Sequence, residues 1–106
     1  MTDIYTTKDK SVILAAQETN NGFVCGYDMR TETFMSIHEK ELTKETVVSV
    51  FNHVGLNNEA LIGRIASFLN RRGILFEELS KCTGMSVRTL HRYIKLNEIS
   101  DEKLRS

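Results

Sequence analysis

The sequence predicts an α+β fold in which a small antiparallel sheet precedes a helical half, and three observations support this class. Residues 12–38 alternate between apolar and polar side chains and include an Asn-Gly pair, which is typical of strands joined by a tight turn. From residue 43 the apolar residues recur every three or four positions, the period of helices. The chain has 106 residues, enough for one small domain or for two subdomains that share a core.

The first half is predicted to form a three-stranded antiparallel meander. Its strands are expected at residues 12–19, 23–29 and 33–38. Asn20-Asn21-Gly22 would form the first turn, because Asn and Gly tolerate positive φ, and Arg30-Thr31-Glu32 the second. Phe23, Tyr27 and Phe34 are expected in the core of the sheet; they could instead stack on nucleobases, although no basic residues alternate with them. A meander this small needs a helix or a second copy to cover its apolar face.

The second half is predicted to be helical, with its helices bounded by capping residues. Helices are expected at about residues 43–53, 58–72, 75–83 and 86–96, followed by a last turn that starts at Ser100 and buries Leu104. The predicted N-terminal caps are Thr43, then Asn57 or Asn58, and Ser86 for the helix at 86–96. Gly55, Gly73 and Gly84 are expected just beyond the ends of the first three helices, because glycine readily adopts positive φ.

The segment from Phe76 to Lys95 (FEELSKCTGMSVRTLHRYIK) contains the most informative pattern in the chain. Its last predicted helix has an apolar inner face and an outer face with basic residues at i, i+3, i+4 and i+7. The outer-face residues are Arg88, His91, Arg92 and Lys95. No acidic residue lies between Gly84 and Asn97, and like charges on successive turns cost a few tenths of a kcal/mol each. A bound nucleic acid would offset this cost, because its phosphate oxygens and base edges attract basic side chains.

This segment resembles the helix-turn-helix of bacterial and phage DNA-binding proteins. The residues that carry the resemblance are the small Ser80, the turn Gly84 and the apolar set Leu79, Met85, Leu90 and Tyr93. The run VRTLHRYIKLNEIS is also similar to the corresponding region of ParB- and KorB-type partition proteins. Residues 1–56 contain no arginine-rich nucleotide-binding box of the kind found in partition proteins, so the resemblance implies the DNA-binding module alone. It places Ser86, Val87, Arg88, His91 and Arg92 where such proteins read bases, and Lys95 at the DNA backbone.

Each of these features also has a simpler interpretation. The three helices could form a plain scaffold or dock on another protein, and the basic stripe could be an ordinary solvated face. Arg71 and Arg72 could contact phosphate, or could only neutralise the C-terminal end of their own helix. The three histidines and two cysteines lack metal-ligand spacing, so no metal site is expected. Cys82 is expected to be a small buried residue.

Charge is divided unequally between the two halves. Residues 1–56 carry five Lys and Arg against eight Asp and Glu, whereas residues 57–106 carry nine against six. A basic half joined to a different module is what a nucleic-acid-binding protein would show. The sequence lacks a signal-peptide pattern and any apolar run long enough for a membrane helix, which predicts a cytoplasmic protein without membrane contact. It contains no catalytic or cofactor-binding motif, so neither an enzyme nor a cofactor is expected.

The expected protein is thus a small sequence-specific regulator that binds double-stranded DNA, of bacterial or phage type. Residues 57–106 would bind DNA, with the helix of residues 86–96 in the major groove, and residues 1–56 would form a dimer or contact a partner. Pairing as a homodimer would supply the affinity that one short helix lacks. The alternative is an interaction module, an inhibitor or adaptor that binds a host or regulatory protein through the acidic first half. Glu18, Asp28 and Glu32 would then carry the function.

Overall fold

A computed structural model of the chain describes residues 3–54 and 58–105, with side chains described as far as residue 96. The chain forms two compact units, Met1–His53 and Val54–Ser106. The strands are β1 (Ile4–Thr7), β2 (Ile13–Asn20), β3 (Phe23–Asp28), β4 (Thr33–His38) and β5 (Leu42–Lys44), with a 3-10 helix at Glu39–Glu41. The helices are α1 (Val47–Val54), α2 (Glu59–Arg71), α3 (Phe76–Thr83) and α4 (Val87–Arg105). The predicted α+β class is confirmed.

The sheet of the first unit has five antiparallel strands in the order β4-β3-β2-β1-β5, two more than the sequence predicted. The predicted meander corresponds to β2, β3 and β4, and Asn21 and Gly22 have the expected positive φ, at 54° and 81°. The additional strands are short: β1 has four residues and β5 has three. Strands β1 and β5 pair with each other, and β1 also pairs with β2. Such short segments show no period of their own, which is why the sequence pattern missed them.

Strand β2 contains a bulge where it passes closest to β3. The register of the two strands shifts between Ala16 and Glu18, and Gly26 lies opposite Ala16. A Cβ atom at Gly26 would lie 2.2 Å from the carbonyl oxygen of Ala15, so only glycine fits at this position. The close approach of the two backbones therefore depends on the absence of a side chain in the middle of β3.

The aromatic residues of the sheet are not in its core, which corrects the expectation for Phe23 and Phe34. Phe34 is 71% exposed and Phe23 is 43% exposed, whereas the buried residues of β3 are Val24, Gly26 and Asp28. Each of these two rings pairs edge-to-face with a half-buried ring: Phe34 with Tyr27 at 5.4 Å and Phe23 with His38 at 5.1 Å between ring centroids. The large side chains at alternate positions led to the prediction that the aromatic face of β3 is buried. The opposite face of β3 is buried instead, because it carries the smaller residues that fit into the interior.

Asp28 is a buried anchor of the turn between β3 and β4. Its carboxylate accepts hydrogen bonds from the backbone N–H groups of Ile13 and Arg30, at 3.2 and 3.0 Å, and from the Thr31 hydroxyl at 2.9 Å. Since only 1% of Asp28 is exposed, it cannot form part of an acidic docking surface. This removes one of the three residues expected to carry a protein-interaction function; Glu18 and Glu32 are exposed.

Helix α1 begins later than predicted, and Thr46 rather than Thr43 caps it. Thr43 lies in β5 opposite Thr6, so it is part of the sheet. Thr46 and Ser49 bond reciprocally: the Ser49 N–H donates to Thr46 Oγ1 at 3.1 Å, and the Thr46 N–H donates to Ser49 Oγ at 2.8 Å. Nearby, the buried Glu45 accepts from His53 Nε2 at 2.9 Å. The predicted stop at Gly55 and the alternative cap at Asn57 lie outside the described residues.

The turn between β1 and β2 is closed around Asp9. The Thr7 hydroxyl donates to Asp9 Oδ1 at 2.7 Å, and the N–H and hydroxyl of Ser11 donate to the same oxygen at 3.1 and 2.8 Å. The hydrogen bond from Thr7, followed by those from Ser11, lowers the pKa of Asp9 from 3.8 to about 2. The turn therefore favours the ionised carboxylate.

Replacement of Asp9 by asparagine is expected to remove a pH-dependent part of the stability. Because folding lowers the pKa of Asp9, its stabilising contribution is complete above 3.8 and is lost as the pH falls towards about 2. The difference in free energy of unfolding between the wild type and Asp9→Asn should be constant at neutral pH and shrink across this interval. Urea unfolding at a series of pH values measures it. A difference that does not change with pH would contradict the assigned hydrogen bonds.

The second unit consists of α2, α3 and α4, and α4 packs mainly against α2 and also against α3. Its buried apolar residues are Leu61, Ile62, Ile65, Ala66, Leu69, Leu79, Leu90 and Tyr93. Asn58 caps α2 as predicted, accepting from the Leu61 N–H at 3.3 Å, and Gly73 follows its end with a φ of 98°. Helix α4 continues through Ser100, so the predicted separate last turn is wrong; the side chain of Leu104 lies outside the described residues. No helix in the described ranges is long and apolar enough to cross a membrane.

Candidate nucleic-acid interface

The connection between α3 and α4 is fixed by side-chain hydroxyl groups. Gly84 follows α3 with a φ of 74°, as predicted, and its N–H donates to the carbonyl of Ser80 at 2.9 Å. The Ser80 hydroxyl donates to the carbonyl of Met85 at 2.6 Å, and the Met85 N–H donates to Thr83 Oγ1 at 3.2 Å. Ser80 is therefore more than a small residue that permits close approach, because it also holds the turn.

Ser86 begins α4 as its predicted N-terminal cap. Its hydroxyl accepts from the Thr89 N–H at 3.1 Å, and its carbonyl accepts from the Leu90 N–H at 3.1 Å. Leu90 is fully buried and Tyr93 almost so, which directs the opposite side of α4 towards solvent. Val87 and Ile94 are half-buried beside them. The capping bond and the buried residues together determine which face of α4 is presented outward.

The four residues of the predicted basic stripe are all exposed on this outward face. They are Arg88, His91, Arg92 and Lys95, and together with Thr89 they line one open depression on the surface. Within the side chains that the structure describes, no carboxylate forms an ion pair with any of them; the ion pairs found there involve Glu45. The structure thus places the stripe together as one surface.

Two of these side chains also contact aromatic rings. The His91 ring lies against Phe76 of α3, with 4.2 Å between ring centroids, and the Arg92 guanidinium lies 5.4 Å from the centre of the Tyr93 ring. Both contacts limit the rotation of the basic groups while leaving them exposed. The contact between His91 and Phe76 was not predicted, since it joins residues on two different helices.

Arg71 and Arg72 lie at the end of α2 and both contact their own helix. Arg71 Nη2 donates to Ser67 Oγ at 3.1 Å, and the Arg72 guanidinium lies 5.1 Å from the centre of the Phe68 ring. Positive charge at the C-terminus of a helix is favourable without any ligand. These contacts support the simpler interpretation of the pair, although both side chains are exposed.

Thr89 is a residue of this surface that the sequence interpretation missed. It lies between Arg88 and Arg92 and lines the same depression, and its hydroxyl is 2.9 Å from that of Ser86. The three-residue spacing from Ser86 to Thr89 is that of a helix-capping pair and could have indicated it. In the described part of the chain, no three His, Cys, Asp or Glu side chains are grouped closely enough to hold a metal ion.

Comparison with known protein families, curated proteins and solved structures found no significant match to this chain. The functional interpretation therefore depends on the residues and their geometry.

Proposed function

We propose that the protein binds double-stranded DNA through the outward face of α4, in the manner of a helix-turn-helix regulator. The observation that carries this proposal is the exposed basic stripe of Arg88, His91, Arg92 and Lys95, without an ion pair to any described side chain, on a helix whose orientation is fixed by its turn and its buried residues. A rigid helix with one exposed basic face is what entry into the major groove requires.

The position of the charges along α4 strengthens this proposal. Residues 87–96 include three Lys and Arg residues and no acidic residue, and the acidic residues of α4 all lie after residue 97. The N-terminus of a helix has a partial positive charge, so acidic residues are favoured there and basic ones are not. The first turn of α4 contains no acidic residue. In the free protein, the helix dipole and the repulsion between like-charged neighbours thus both disfavour basic residues at these positions. A bound polyanion would offset both effects.

The side chains of the stripe suit different parts of a duplex. Arg88 and Arg92 can form bidentate hydrogen bonds to guanine edges, whereas Lys95, one turn further along, suits a phosphate. The backbone N–H groups at the start of α4, next to Ser86, are also suited to a phosphate oxygen. His91, held against Phe76, would contribute a ring nitrogen of fixed position. Two copies of the chain, each with one such helix, would bind a pseudo-palindromic site.

The test of this proposal is a salt titration of binding to mixed-sequence duplex DNA, with the wild type compared with Arg88→Ala/Arg92→Ala. Binding to mixed-sequence DNA is non-specific, so Arg88 and Arg92 would there meet phosphates instead of guanine edges, and each phosphate contact that is lost should reduce the slope of log K against log salt by about 1. We expect the double variant to bind at least about tenfold more weakly and with a shallower slope. Its melting temperature should be nearly unchanged, because both residues are exposed and neither forms an ion pair with a described side chain.

The matched control is Lys8→Ala/Lys40→Ala, which removes the same charge from exposed positions of the first unit. This control should lose much less affinity if the effect depends on the surface of α4 rather than on net charge. Arg71→Ala/Arg72→Ala, measured in parallel, decides between the two interpretations of this pair. A loss of affinity would indicate a phosphate contact, and unchanged affinity would indicate that the pair only neutralises the end of its own helix. A wild-type protein that does not bind duplex DNA even at low salt would overturn the proposal, and a protein partner would then be sought.

A further inference from the structure

The two edges of the sheet differ in their protection against pairing with another strand. At one edge, β5 has only three residues, includes Lys44, and follows the charged 3-10 helix Glu39–Glu41. Short length and charge are the devices by which proteins block such edges. At the other edge, β4 has six residues without charge, proline or bulge, and its register with β3 is regular throughout. Only the β4 edge lacks these protective features.

The backbone of β4 presents unpaired groups at this edge. The Glu39 N–H donates to the carbonyl of Gly22 at 2.8 Å, and His38 lies opposite Phe23. The hydrogen bond between the flanking residues Glu39 and Gly22 shows that Phe23 and His38 form a non-hydrogen-bonded pair of the antiparallel ladder. Every second pair along β4 has the same geometry, in which the two facing residues do not bond to each other. The N–H groups of Phe34, Ser36 and His38 therefore point away from β3. Within the part of the chain that the structure describes, no strand pairs with that side of β4.

The side chains beside this edge form an exposed aromatic surface. Phe34 is the most exposed large apolar residue among the described side chains, and its ring is paired with Tyr27 on one side only. Neither β3 nor β4 has a lysine or an arginine, so this surface does not favour a nucleic acid. An uncharged strand suits pairing with itself, since no like charges would face each other across the two-fold axis.

We propose that β4 pairs antiparallel with β4 of a second copy of this chain, with Ser36 opposite Ser36 of that copy. In this register the outward N–H groups of Phe34, Ser36 and His38 all face acceptors across the axis, and Phe34 packs beside the partner's His38. The contact is isologous and closes at a dimer. It supplies the second copy that the proposed function needs, but its evidence lies in the edge of the sheet and does not depend on DNA.

The test measures the mass of the full chain by sedimentation equilibrium without DNA. The wild type should have twice the chain mass of 12.1 kDa. Phe34→Lys, which places a charge at the edge, should be monomeric at the same concentration. Thr43→Lys is the matched control, because it adds the same charge to the exposed β5 edge, and it should remain dimeric. Circular dichroism establishes that each variant is folded.

A second pair of variants tests the backbone contact itself. Ser36→Pro removes an outward N–H that β3 does not use, so the strand should still form while the dimer dissociates. Ser36→Ala keeps this N–H and loses only the 3.3 Å contact with Cys25 Sγ, so it should remain dimeric. A monomeric wild type, or folded Phe34→Lys and Ser36→Pro variants that remain dimeric, would overturn the interface. A wild-type dimer that fails to bind DNA would overturn the proposed function alone.

Discussion

Gly26→Ala is expected to destabilise the Met1–His53 unit by at least about 3 kcal/mol, a large part of the stability of a small domain. A Cβ atom at this position would lie 2.2 Å from the carbonyl oxygen and 2.9 Å from the carbonyl carbon of Ala15. Both are backbone atoms of β2, so no side chain can rotate away to make room. Relief would require β2 and β3 to separate, which would break the hydrogen bonds on either side of the bulge.

Thermal and urea unfolding followed by circular dichroism measure this effect. Gly73→Ala is the appropriate comparison, because a Cβ at Gly73 would meet no atom within 4 Å. That variant should lose only about 1 kcal/mol, the cost of positive φ for a residue other than glycine. If Gly26→Ala and Gly73→Ala are equally stable, the close approach of the two strands is not as described.

Leu90→Ala is expected to lower the stability of the second unit by about 2–5 kcal/mol, the range for a buried leucine. Leu90 is fully buried on the inner face of α4, which packs on α2 and α3. The alanine would leave a cavity where α4 packs on α2 and α3. The proposed binding to DNA should decline as well, because the outward face of α4 would lose its orientation.

Leu96→Ala provides a control on the same helix with the same change of side chain. Leu96 is 44% exposed, so its truncation removes much less buried surface than that of the fully buried Leu90, and alanine is at least as favourable as leucine in a helix. The melting temperature of Leu96→Ala should stay close to that of the wild type. Equal melting temperatures for the two variants would show that Leu90 is not a core residue.

The features that could be predicted from the sequence are those set by local chemistry. Asn21-Gly22, Gly73 and Gly84 have positive φ as expected, and Asn58 and Ser86 cap their helices. Each depends on residues within a few positions, so the pattern contains the necessary information. The same holds for the exposed side of α4, because helical spacing determines which residues share a face.

The features that could not be predicted depend on distant residues. Strand β5 exists because β1 is available to pair with it, and Thr43 consequently enters the sheet instead of capping α1. The burial of Asp28 in place of an aromatic residue depends on the N–H groups of Ile13 and Arg30, of which Ile13 lies on β2. The contact of His91 with Phe76 likewise needs the packing of two helices. Tertiary pairing overrides local pattern in each of these cases.

The hydroxyl-held turn before α4 has a consequence for how this protein could evolve. Three of the positions that orient α4 (Ser80, Gly84 and Leu90) do not overlap with the exposed positions Arg88, His91, Arg92 and Lys95, and Ser86 alone both caps the helix and lies at the proposed DNA surface. Substitutions at the exposed positions can therefore accumulate with little loss of folding free energy. A scaffold organised in this way can acquire a preference for a new target while keeping its architecture.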